Sequence, residues 1–141
     1  MTRALTSVTC AFLALGLWAC AGNPGPGESG YPFNLSGAYD GEVLVDGQTF
    51  GVTMEIETVV GGALEGSYSV TSPVNMSGPV TGSIVADSVT FTLDYLNPMD
   101  GCDGILDGTG TVKEGGVGFS GRARVNDSCG GFLSGSFTLR R

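Results

Sequence analysis

Whatever chemistry this sequence offers rests on carboxylates and thiols, because it contains no histidine. Without imidazole there is no Ser-His or Cys-His pair, no His-based zinc site and no ordinary proton shuttle near neutral pH. The richest acidic group is Asp94, Asp100, Asp103, Asp107 and Asp127. Carboxylates spaced among loop carbonyls suit Ca2+, a hard cation that takes about six to eight oxygens, and Asp100, Asp103 and Asp107 are the candidate ligands. That run lacks the alternate-residue spacing and closing Glu of an EF-hand loop, and Asp-Gly pairs are above all turn formers. Paired carboxylates also serve glycosidases. Here the strand carboxylates alternate onto a solvent-facing side, with no cleft in the pattern. The chain therefore reads as non-enzymatic and without a cofactor.

The four cysteines are Cys10, Cys20, Cys102 and Cys129. The first two lie in an N-terminal stretch with one cation, Arg3, followed by an uncharged run from Ala4 to Ala19. This is the pattern of a secretory signal peptide over residues 1–19. The run is shorter than the ~20 residues of a membrane-spanning helix, and Gly22-Asn23-Pro24-Gly25-Pro26-Gly27 follows at once. Leu17-Trp18-Ala19-Cys20 resembles the lipobox of bacterial lipoproteins, with Trp18 larger than that pattern's usual residue. The resemblance implies acylation of Cys20 as the mature N-terminus, and Ala21 rather than Asp after it leaves outer-membrane sorting open. Ala19-Cys20-Ala21 also fits an A-x-A site for plain secretion. Residues 20–35, rich in Gly, Pro, Ser and Asn, read as a flexible tether to the membrane.

The rest of the chain must supply the fold. Of 141 residues 25 are Gly, against a usual ~7%, yet 41% are hydrophobic, so neither collagen nor disorder fits. The net charge of −8 opposes nucleic-acid binding, which needs a Lys/Arg footprint. One domain, residues 36–141, fits the length, and a monomer is expected.

A five-residue pattern recurs: Leu35-Ser36-Gly37-Ala38-Tyr39, Leu64-Glu65-Gly66-Ser67-Tyr68, Val80-Thr81-Gly82-Ser83-Ile84, Leu106-Asp107-Gly108-Thr109-Gly110, Phe119-Ser120-Gly121-Arg122-Ala123 and Leu133-Ser134-Gly135-Ser136-Phe137. Each copy has the strand period of two, with Gly on the apolar face. Extending the alternation predicts strands near 36–45, 49–59, 63–71, 79–86, 88–95, 104–113, 116–125 and 131–140, separated by turn signals such as Asp46-Gly47 and Gly130-Gly131. Apolar residues such as Val43, Met54, Ile84, Leu93, Val117 and Leu139 share one face, and Glu42, Glu55, Glu57, Asp94, Arg122 and Arg124 the other. The Arg pair is expected to meet surplus acids across strands.

Eight evenly spaced strands with tight turns predict an all-β, eight-stranded antiparallel up-and-down barrel with an apolar interior, a closure that removes exposed edges. An outer-membrane barrel would carry its apolar residues outward instead. In architecture the domain resembles the calycins, the lipocalins and avidin-like proteins; Leu64-Glu65-Gly66-Ser67-Tyr68 looks like an avidin-type strand. Gly37-Ala38-Tyr39 replaces the lipocalin Gly-x-Trp signature.

In such a meander alternate loops share one end, which puts Cys102 and Cys129 together and predicts a disulfide between them. The inward aromatics Tyr39, Phe50, Tyr68, Phe91, Tyr95, Phe119 and Phe137 could line a pocket, although the many Gly favour a filled interior. Two functional expectations follow. One is a structural or interaction role at the membrane surface, with an envelope protein as partner. The other is lipocalin-like binding of a small apolar ligand inside the barrel, with Tyr39, Tyr68, Phe91, Tyr95, Phe119 and Phe137 as its contacts.

Overall fold

The computed structural model describes residues 35–59, 61–113 and 117–141. The expected signal peptide, Cys20 and all of the tether before Leu35 lie outside them, as do residues 60 and 114–116. The described chain is a closed barrel of eight antiparallel strands in sequence order: β1 (Gly37–Val45), β2 (Gln48–Thr58), β3 (Ala63–Ser72), β4 (Met76–Val85), β5 (Ser88–Leu96), β6 (Asp103–Val112), β7 (Gly118–Asp127) and β8 (Gly131–Arg140). Pairing of β1 with β8, Val43 opposite Phe137, completes the ring. The meander barrel expected from the alternation is the fold of this protein.

The alternation also sets the faces. Tyr39, Val43 and Val45 of β1 point inward between exposed Asp40, Glu42 and Leu44, and the same rhythm runs round the ring. Asp46 and Gly47, with φ of 47° and 79°, make the two-residue turn that the Asp-Gly pair announces. Three details differ from the sequence reading. Val117 precedes β7 and is exposed rather than inward. Leu35, the last residue of the expected tether, is fully buried, and the Tyr39 hydroxyl donates to its carbonyl at 2.9 Å. Strand β4 begins three residues early, at Met76, carrying Pro79 in its interior.

Proline is tolerated there because Met76–Pro79 pair only with β3; the ladder to β5 begins at Val80 opposite Leu93. Successive N–H groups along a strand point to opposite neighbours. The Ile84 N–H bonds the Gly62 carbonyl ahead of β3, so position 79 faces β5, where Pro79 offers no donor. The carbonyl that a donor at 79 would have met is that of Asp94. The Tyr68 hydroxyl satisfies it instead, at 2.7 Å. Gly78 leaves room for the reach: an added Cβ would stand 3.0 Å from the Tyr68 ring.

Close approach explains the repeated inward glycines. A Cβ on Gly66 would land on the Glu55 carbonyl oxygen of β2, and one on Gly135 on the Leu44 carbonyl oxygen of β1. The strands curve so sharply that backbone meets backbone across the interior face. Gly51, beside the irregularity where Gly51 and Val52 oppose Ser72 and Val70, has nothing within 4 Å of an added Cβ. Gly66→Ala is therefore expected to cost about 2–4 kcal/mol in urea unfolding. Gly51→Ala in the same assay is expected to be neutral or to stabilise by up to about 1 kcal/mol, because it only restricts the unfolded chain.

Candidate functional site

The ends of the barrel differ. At one end gather Leu35, Arg141 and the C-terminal ends of β2, β4 and β6; at the other lie the turns after β1, β3, β5 and β7. The first end is filled. Tyr39, Phe91, Phe119 and Phe137 stack edge to face, with ring centroids 5.0 Å apart for Phe91 and Phe137 and 5.1 Å for Tyr39 and Phe119. Glycine makes the space: a Cβ on Gly108 would enter the Phe91 ring, and one on Gly110 would stand 2.8 Å from Phe137. Arg141 lids this end, its guanidinium 5.3 Å from the centre of the Tyr39 ring and donating to the Ser36 carbonyl at 2.7 Å.

The second end is hollow. A cavity of about 260 Å³ opens there. Its walls are apolar at depth, with Val52, Met54, Phe91, Leu93, Leu106 and Val125, while Tyr68, Tyr95, Asp46, Gln48, Asn97, Asp100 and Asp127 ring the polar mouth. The interior is thus neither wholly filled nor wholly hollow. Of the six aromatics expected to contact a ligand, Tyr68, Phe91 and Tyr95 line this cavity. Tyr39, Phe119 and Phe137 are buried in the packed half behind Phe91.

Two loops frame the mouth and are fastened together. Cys102, before β6, and Cys129, after β7, form the expected disulfide, with Cα atoms 5.7 Å apart. Around it the Asp103 N–H donates to the Ser128 hydroxyl at 3.0 Å, and the Ser128 N–H donates to the Asp103 carbonyl at 2.8 Å. Asp100 accepts from the Cys102 N–H at 2.9 Å and from the Asn97 side chain at 3.0 Å. A bridge with a sequence separation of 27 removes about 3.5 kcal/mol of unfolded-chain entropy.

Asp127 is the residue that the two-sided sequence pattern missed. It continues the inward series Phe119, Gly121, Ala123, Val125 to the end of β7, so it turns toward the mouth instead of outward with the other strand carboxylates. One carboxylate oxygen accepts from the Cys129 and Gly130 N–H groups at 2.8 and 2.6 Å; the other accepts from the Tyr95 hydroxyl at 2.5 Å. The Tyr95 bond, then the backbone donors, hold its carboxyl below the usual carboxylate range. Burial, then that same bond and the surrounding aspartates, push the Tyr95 phenol well above its ordinary value.

The expected calcium ligands do not converge. Asp107 lies mid-strand on the outer face, accepting from the Thr92 hydroxyl at 2.7 Å and paired across the strand with Arg124. It is about 13 Å along β6 from Asp103, and Asp100 is engaged within its own loop. Among the described residues the one trio of ligand atoms close enough to share an ion is that of Cys102, Asp127 and Cys129, and its two sulfurs are joined to each other.

No family model, no curated protein and no solved structure matches this chain.

Asp127 and Tyr95, two of the shifted groups at the mouth, set a pH window. Asp127 titrates lower in the folded than in the unfolded chain, so its contribution is present above pH about 4 and lost as pH falls through the folded value. Tyr95 titrates higher when folded, so its contribution is complete below pH about 10 and lost as pH rises further. Chemical unfolding across pH is expected to show a plateau between these limits. Tyr95→Phe should make the alkaline decline shallower, and Asp127→Asn the acid one.

Proposed function

We propose that this chain is a non-enzymatic, lipid-anchored protein of the cell envelope whose barrel binds the apolar body of one small molecule at its disulfide end. The observation that carries the reading is the cavity of about 260 Å³ between the packed aromatics and the mouth. Apolar walls with a few polar groups at the rim are the usual composition of a small-molecule site. An apolar cavity of about 150 Å³ holds benzene, so this one has space for roughly ten non-hydrogen atoms. That is a short alkyl chain or a two-ring aromatic, well below the size of a long-chain lipid. The anchor rests on Leu17-Trp18-Ala19-Cys20 and on the export that a structural disulfide favours.

Calorimetric titration with octan-1-ol tests the cavity. Binding at one site with Kd of about 0.01–1 mM is expected, as is its loss in Leu133→Trp, which places a larger side chain at the half-buried rim. No binding, or binding unchanged in Leu133→Trp with the melting temperature kept, overturns the reading. Detergent-phase partitioning tests the anchor: the exported protein should enter the detergent phase and its Cys20→Ser variant should not. Equal partitioning of the two would remove the anchor from the proposal.

A further inference from the structure

The mouth is one-sided both in charge and in hydrogen bonding. Each charged residue lining the cavity is acidic: Asp46, Asp100 and Asp127. The described cations stand elsewhere. Arg122 and Arg124 are on the outer face of β7, Arg140 ends β8 at the filled end, Arg141 covers Tyr39, and Lys113 follows β6 at that same end.

Apart from the exposed Gln48 amide, the side-chain donors at the mouth are largely committed to the protein itself. The Tyr95 hydroxyl proton is given to Asp127, that of Tyr68 to the Asp94 carbonyl, and the Asn97 amide donates to Asp100. What remains toward an incoming molecule is mainly lone pairs and negative charge. Just inside stand the aromatic surfaces of Phe50, Tyr68, Phe91 and Tyr95, and aromatic faces attract cations. A carboxylate head group would meet three like charges here, with few free donors to replace its water. An ammonium would meet carboxylates, lone pairs and rings, and the net charge of −8 favours its approach.

We infer that the molecule this barrel takes is an organic cation, an ammonium bearing a short alkyl or aryl body, with the body in the apolar depth and the charge held at the mouth. The inference rests on the binding reading above and names the ligand class within it. Asp46 and Asp100 are exposed, so each carboxylate contributes on the scale of a surface ion pair, and the open mouth spares the cation full burial.

The test is calorimetric titration of the purified protein, in detergent-free buffer at neutral pH, with octylammonium, octan-1-ol and octanoate, which share one chain length and differ in head group. Octylammonium is expected to bind about five- to tenfold more tightly than octan-1-ol at low salt, and octanoate more weakly than either. The preference for the ammonium should shrink as salt is raised. Asp46→Asn keeps a side chain that tolerates the left-handed backbone at φ 47°. It and Asp127→Asn should each cut the ratio of octylammonium to octan-1-ol affinity about two- to threefold. If Asp127→Asn lowers the melting temperature, Asp100→Asn serves in its place.

Octan-1-ol binding as tightly as octylammonium, or octanoate binding best, would overturn the cation assignment and leave the cavity reading standing. A preference that survives both Asn substitutions would also overturn it. Failure of all three probes would overturn the cavity reading, and this inference with it.

Discussion

The barrel depends on backbone approaching backbone across its interior face. At Gly66, Gly82, Gly121 and Gly135 the space a methyl group would need is taken by a carbonyl of the adjacent strand. Eight strands can close around so small a circumference only if they bend hard, and a strand bends toward the side where it has least to pack. These glycines lie mostly toward the end where the chain enters and leaves, and so do the rings that fill the space they create. Toward the disulfide end the inward positions carry mainly Val, Leu and Met, the aromatic plug is absent, and an opening remains. Packed half and hollow half are two results of one distribution of glycine.

A second consequence concerns the tyrosines. Tyr68 and Tyr95 each stand over a glycine, Gly78 and Gly104, and each uses its hydroxyl to complete the protein's own hydrogen bonding. Tyr68 supplies the donor that Pro79 lacks; Tyr95 ties β5 to the end of β7. Both are structural parts of the rim whose outward chemistry is set by that employment. A phenol whose proton is spent is an acceptor and an aromatic face, which is why the mouth differs in character from what its residue names suggest.

Strand number, order and facing were legible in the sequence because period two acts locally, and each of the six Gly-centred copies reported the same face. The disulfide was legible at one remove, since a meander puts alternate loops together. What escaped depended on distances between strands. Extending the alternation started the fourth strand at 79, three residues late, and only the ring shows that β4 runs on unpaired with β5 through Pro79. Asp127 looked like a turn aspartate, although the parity of Phe119 through Val125 already marked it as inward. Tyr39, Phe119 and Phe137 could not be separated from Tyr68, Phe91 and Tyr95 by facing alone, because all six point inward and only height along the barrel divides plug from wall. Asp100, Asp103 and Asp107 are close in sequence, but a strand carries Asp107 away along the outside.

Entry and exit of the chain on the filled end also make the barrel directional. Leu35 and Arg141 are separated from the rim by the length of the strands, roughly 25 Å at an ordinary barrel tilt. The opening therefore faces away from the end at which Leu35 and Arg141 lie, so a label joined beyond Arg141 would sit at the base and leave the mouth uncovered.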